Sequence, residues 1–138
     1  MKNVMLKIEG TQKSVDGEEN VIELTTEGKL YEKGSTVYLV YEETEVSGME
    51  GCTTTVKLTK DKVSMKRFGT SNSEIVFEKG RRYETNYNTP YGNFDMQVVT
   101  KEIDYAITDA KKGHIQIDYH INLQGVAESS NKLKIRIM

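Results

Sequence analysis

"VKLTKDKVSM", Val56 to Met65, reads as two short strands folded back on one another. Apolar and polar residues alternate along both arms, the period of a strand that lays one face on a core. A two-residue turn at Lys60 and Asp61 sets Leu58 opposite Val63 and Val56 opposite Met65. Facing residues of an antiparallel pair share one side of the sheet, so these four define the inner face. Two steps further out, Thr54 meets Arg67.

The same arithmetic extends along the chain. Through "GTSNS", Met65 is expected opposite Phe77 and Arg67 opposite Ile75; a three-residue loop at Lys79, Gly80 and Arg81 then brings Phe77 to Tyr83 and Ile75 to Thr85. With Asn88 to Asn93 as the next connection, Tyr87 faces Phe94, Thr85 faces Met96 and Tyr83 faces Val98. That connection holds the one proline, in "TPYG" (Thr89, Pro90, Tyr91, Gly92). Proline fixes φ and offers no N–H, so it suits a corner and not a central strand.

Further on, Ile107 is matched with Ile115, Tyr105 with Ile117, Ile103 with Tyr119, Ile121 with Ile135 and Leu123 with Leu133. A slip of parity between Val98 and Ile103 places a β-bulge near Val99 to Glu102. Turn-rich punctuation recurs, as in "SVDGEEN", "EKGS", "DAKKG" and "QGVAESSN". The sum is an all-β chain, a single antiparallel meander of about ten strands without a helix, in one domain over residues 1–138. Such a meander buries its apolar face by folding into a sandwich or by closing into a barrel, and closure also removes the edges. The barrel is the preferred expectation.

The spaced set "YLVYEETEVSG" (Tyr38 to Gly48), "TTT" (Thr53 to Thr55), "RFG" (Arg67 to Gly69), "FEKG" (Phe77 to Gly80) and "TPYG" resembles the YwiB-like bacterial family over essentially the whole chain. The resemblance implies a calycin-like, or lipocalin-like, β-barrel. It implies no activity. The chain lacks tryptophan and any "GxW" near its start, so ligand binding by lipocalins and avidins is a fold-level analogy only.

Composition narrows the function classes. Net charge is -2, which offers no bulk attraction to nucleic acid or to an anionic membrane. Residues 1–56 carry 5 basic and 11 acidic side chains, residues 57–82 carry 8 and 3, and residues 83–138 carry 6 and 7. Exchange of salt bridges between neighbouring strands accounts for that segregation, with an anion-binding patch as the other reading. No long apolar stretch suggests a signal peptide or a membrane span, and the lone cysteine fits a reducing compartment. The expected location is cytoplasmic.

Among chemistry-bearing residues, the inner face carries Thr54, Arg67, Tyr83, Thr85 and Tyr87, joined by Tyr41 and Glu43 if the preceding hairpin turns at Lys33 and Gly34. An arginine facing inward stays charged and must be paired or hydrated. It either receives the head group of an anionic or amphipathic ligand, helped by the tyrosines, or pairs with Glu43 or reaches solvent. "HIQIDYH" aligns His114, Gln116, Asp118 and His120 on one strand face, at roughly 6.5–7 Å per step. The alternate residues Ile115, Ile117, Tyr119 and Ile121 are the core face, so the histidines point outward and no metal site is expected.

Cys52 shares the inner parity and reads as a buried small residue. Glu42, Glu43 and Glu45 are neighbouring carboxylates that do not share one face. Lys132, Lys134 and Arg136 lie on one outer face, as expected of a strand that blunts an exposed edge. Glycine-rich phosphate loops and the "GxSxG" elbow are absent, and no cofactor is expected. Three classes of function remain: a barrel binding a small molecule near Arg67, a filled barrel acting as an interaction or regulatory module or homodimer, and an enzyme using the interior or the histidine strand.

Overall fold

A computed structural model describes residues 2–43, 51–60, 62–69, 72–89, 92–108, 112–124 and 127–138, with residues 87–89 described by their backbone. Ten strands follow in chain order: β1 (Lys2–Ser14), β2 (Glu19–Lys33), β3 (Thr36–Glu42), β4 (Cys52–Leu58), β5 (Lys62–Gly69), β6 (Ser73–Glu78), β7 (Arg82–Thr89), β8 (Gly92–Ile107), β9 (Gly113–Leu123) and β10 (Ala127–Ile137). All ladders are antiparallel, in a single sheet ordered β6-β5-β4-β3-β2-β1-β10-β9-β8-β7. The first and last strands pair from Leu6↔Ile137 to Ser14↔Ser129. The sheet is therefore a barrel, nearly closed.

The seam is not where a hairpin reading puts it. Phe77 does not pair with Tyr83, nor Ile75 with Thr85: β6 and β7 are the two ends of the sheet. The backbone between them bonds to β8 instead, with Gly80 N–H donating to the Thr100 carbonyl (2.9 Å) and Thr100 N–H to that of Arg81 (3.3 Å). Gly80 supplies the positive φ of that corner (76°).

The register set by "VKLTKDKVSM" holds, with Leu58↔Val63, Val56↔Met65 and Thr54↔Arg67; Asp61 of its turn lies outside the described residues. Tyr83↔Val98, Thr85↔Met96 and Tyr87↔Phe94 hold as well. That ladder runs on to Thr89↔Gly92, so Asn88 and Asn93 belong to strands, and Pro90 and Tyr91 lie outside the described residues. A bulge occurs between Thr100 and Glu102, as the parity slip requires.

Elsewhere the faces are right and the offsets differ. The β2–β3 turn is one residue later than Lys33 and Gly34, with Lys33↔Thr36 closing it. The β5–β6 ladder pairs Met65 with Ile75 and Arg67 with Ser73, two residues short of the expectation, because the Asn72 side chain accepts from Gly69 N–H (3.3 Å) and tightens the connection. Beyond the bulge, Tyr105 pairs with Ile115, Ile103 with Ile117 and Ile107 with Gly113. Gly113 belongs to the ladder rather than the loop, at a position where a Cβ would collide with the Ala106 carbonyl.

The largest departure lies between β9 and β10. Ile121 pairs with Ser129, and Ile135 with Ile115, six residues from the expected offset. "AESSN", polar enough to read as loop, is strand (Ala127 onward). Consequently Lys132, Lys134 and Arg136 do not blunt an edge: β10 is paired on both sides, and Lys134 sits opposite Glu9 while Lys132 sits opposite Asp118.

The core fills the inner face, with Leu6, Leu39, Val56, Val63, Phe77, Val98, Ile117 and Ile135 among the fully buried residues. Each such side chain contributes about 1.5–3 kcal/mol relative to exposure. Gly28 is closely packed within it: a Cβ at that position would lie 2.6 Å from Leu6 Cδ1 and 3.0 Å from the Val40 carbonyl oxygen. Charge exchange between segments is also visible, in Lys79–Glu102 (3.2 Å) and Arg67–Glu43 (3.3 Å), whereas Lys62–Glu78 (3.6 Å) joins strands within the basic segment.

Candidate functional site: a polar belt inside the barrel

Two cross-strand rows meet in the interior. The first runs from Ser73 through Arg67, Thr54 and Tyr41 to Gly28. The second runs from Thr100 through Tyr119, Asn131 and Gln12 to Asn20. One cavity of about 330 Å³ lies between them, walled by Arg67, Tyr119, Ser129 and Asn131 together with Met65, Ile75, Phe77 and Leu123. A second, of about 200 Å³, reaches from Arg67, Tyr41 and Tyr119 toward Gly10, Asn20 and Ile22. Gln12, Arg67, Tyr119, Asn131 and Leu133 line both.

The first row is organised around a buried carboxylate. Glu43 follows β3, held by its N–H to the Cys52 carbonyl (2.9 Å), and its side chain is 3% exposed. Its Oε1 accepts from Thr54 Oγ1 (2.6 Å) and from Arg67 Nε (3.3 Å). A charge this buried requires such partners. Arg67 is thus paired with Glu43, and it lines both cavities as well, its side chain 22% exposed. Among the described residues, one of the five guanidinium N–H groups is bonded, to Glu43.

The tyrosines register this field. Burial pushes the Tyr41 phenol far above the ordinary tyrosine range; Glu43 raises it further and Arg67 opposes the shift. Burial likewise raises Tyr119, again against the pull of Arg67. Tyr119 also meets Phe77 at 4.7 Å between ring centroids, tilted by 55°. Since β6 and β9 are not neighbours in the sheet, that contact spans the interior.

Beside the second row, Ser129 Oγ accepts from Gln12 Nε2 (3.3 Å) and from Asn131 Nδ2 (3.1 Å). Gln12, Asn20 and Ile22 are exposed and form the rim. Gly10, on the same side of β1 as Ile8 and Gln12, leaves the space open: a Cβ there would meet nothing within 4 Å.

Arg67, Tyr41, Glu43 and Thr54 are therefore brought together. Tyr83 packs against the core from β7 and Thr85 is half-buried opposite Met96; neither lines the two cavities at Arg67. The side chains of Tyr87 and Thr89 lie outside the described residues. Ser129 and Asn131 fall within "QGVAESSN", which reads as loop, and nothing in the sequence singles out Gln12, although Asn131 shares the parity of Leu133 and Ile135.

The other candidates sit apart. His114 is exposed, its Nε2 3.1 Å from Asp104 Oδ2. Among the described residues no three His, Cys, Asp or Glu side chains group so as to hold a metal ion. Cys52 is buried opposite Gly69. Glu42 is exposed, and Glu45 lies outside the described residues. Among the described residues no helix is long and apolar enough to cross a membrane.

Comparison with known proteins agrees with this architecture. Residues 6–135 match a family described as a domain of unknown function, DUF1934. The chain belongs to that family. It is 30% identical over 121 residues to the uncharacterized β-barrel protein YwiB of Bacillus subtilis (strain 168), an alignment covering 87% of this chain and 82% of the relative. The crystal structure of YwiB from Bacillus subtilis superposes with a TM-score of 0.85 at 26% identity, covering 98% of this chain and 89% of that one. The YwiB-like resemblance of the sequence motifs and the all-β barrel are thereby established.

Proposed function

We propose that this barrel binds a small amphipathic molecule, its polar end at Arg67 and its apolar part along Met65, Ile75, Phe77 and Leu133. The supporting observation is an interior arginine that stays beside empty space after satisfying Glu43. A cavity of about 330 Å³ falls within the range of small-ligand sites, roughly 300–1,000 Å³, which are mostly apolar with a few placed polar groups. Its polar lining of Arg67, Gln12, Asn131 and the Ser73 and Ser129 hydroxyls, set among apolar side chains, suits the holding of a polar head. The lone buried cysteine favours a reducing, cytoplasmic setting.

The test is a fluorescence titration with N-phenyl-1-naphthylamine, an uncharged apolar probe, against a protein that has no tryptophan background. Saturable one-to-one enhancement is expected. In Leu133→Trp, which projects a large ring from a residue shared by both cavities and opposite Gly10, it should disappear while far-ultraviolet dichroism is retained. No saturable signal, or an unchanged one in Leu133→Trp, contradicts the reading. The interaction-module alternative draws on the unpaired sheet ends β6 and β7 and on exposed Val21 and Ile22; a concentration-independent dimer by light scattering, with no probe bound, would favour it.

A further inference from the structure

We infer that the ligand class is uncharged: an amphiphile whose head both donates and accepts hydrogen bonds, as a carboxamide does, and not a carboxylate or phosphate. The inference rests on the ligand-binding reading above. Its basis is charge balance. Arg67 is the one cationic residue among those lining the larger cavity, and Glu43 already holds its Nε at 3.3 Å. The pair is formally neutral. An anion brought to the guanidinium would lose its hydration and meet the Glu43 carboxylate behind the arginine. A carbonyl oxygen brings no charge and can still accept from the free N–H groups of the fork.

The opposite wall supplies the complementary half. Asn131 and Gln12 each turn a side-chain N–H to Ser129 Oγ, which leaves their carbonyl oxygens as acceptors. A head with N–H or O–H donors satisfies those acceptors, while its carbonyl satisfies Arg67. The lower wall of Met65, Ile75 and Phe77 takes an aliphatic tail. With about 30 Å³ per water in the liquid, a cavity of about 330 Å³ suits a short chain and not a long lipid.

The experiment is calorimetric titration of the intact protein with octanamide, octanoate and octylammonium at pH 7. Octanamide should bind at least tenfold tighter than either ion. Glu43→Gln keeps the acceptor for Thr54 and Arg67 but leaves the arginine charge uncompensated, so octanoate should gain at least tenfold in that variant. Tighter octanoate than octanamide in the native chain overturns the inference, as do equal affinities for all three, while binding itself would stand. Failure of all three and of N-phenyl-1-naphthylamine overturns both readings. Thermal melting of Glu43→Gln guards the comparison, and a second variant, Arg67→Lys, should lower octanamide affinity by removing the fork while keeping the charge.

Discussion

At the scale of single residues, the Glu43 carboxylate decides what Arg67 and Thr54 are worth. Thr54 is fully buried and donates to it at 2.6 Å. Thr54→Val keeps the shape and removes a hydrogen bond to a charged group, so urea denaturation should show a loss of about 1.5–3 kcal/mol; a loss below about 0.5 kcal/mol would mean that Glu43 does not depend on it. Arg67→Met strands the same carboxylate and should lower stability by up to about 3 kcal/mol, short of a fully buried pair because the arginine is partly exposed. Arg67→Met combined with Glu43→Gln should recover most of that loss, and a double variant no more stable than the single would refute the coupling. The tyrosines give a pH signature. Tyr41 and Tyr119 are raised by burial, so their folded forms hold protons that an unfolded chain releases near pH 10. Their contribution is complete below about pH 10 and declines as pH rises beyond it. Ultraviolet titration should show them still protonated when exposed tyrosines have ionised, and Tyr41→Phe should weaken the fall in stability above about pH 10.

At the scale of the strand, alternation and pairing parity carry most of the information. Val56, Leu58, Val63 and Met65 placed their own hairpin because the turn between them is short and the faces unambiguous. Parity survived even where offsets did not: Ile75, Ile103, Ile117 and Leu133 all line or pack against the core. Offsets were lost where a loop's length depends on a side chain closing it, as Asn72 does for Gly69, or on a steric limit, as at Gly113. "AESSN" was illegible because its burial is satisfied by partners far apart in sequence, Gln12 and Ser129 being 117 residues apart. The two end strands, β6 and β7, each have a ladder on one side only. β6 pairs with β5 alone, and Phe77 ties it to Tyr119 across the interior. Phe77→Ala should cost about 3–5 kcal/mol and raise proteolytic cleavage near β6 above that elsewhere; a loss under about 1 kcal/mol would show that the ring contact does not hold the strand.

At the scale of the whole molecule, the termini close the barrel and the seam opens between β6 and β7. A sequence reading that pairs each strand with the next misses this, since the Lys79–Arg81 corner resembles any other tight loop until β8 competes for its backbone. Amides whose N–H groups point into the seam lack a ladder partner, whereas those of β1 and β10 are paired on both sides. Native-state hydrogen exchange should therefore be fastest along the outward edges of β6 and β7 and slowest in β1 and β10; equal protection throughout would contradict an open seam. The interior belt is a property of this same scale, because its two rows run round opposite sides of the barrel and share only β2.

The measurement that tests the central claim most directly is nuclear magnetic resonance of the arginine side chains, with the Arg67 signal assigned through Arg67→Lys. On titration with octanamide, the Arg67 Nε and Nη resonances should shift and slow in exchange with solvent, while Arg81, Arg82 and Arg136 stay where they are. Saturation with octanamide that leaves the Arg67 signals unmoved would contradict a ligand site at Arg67.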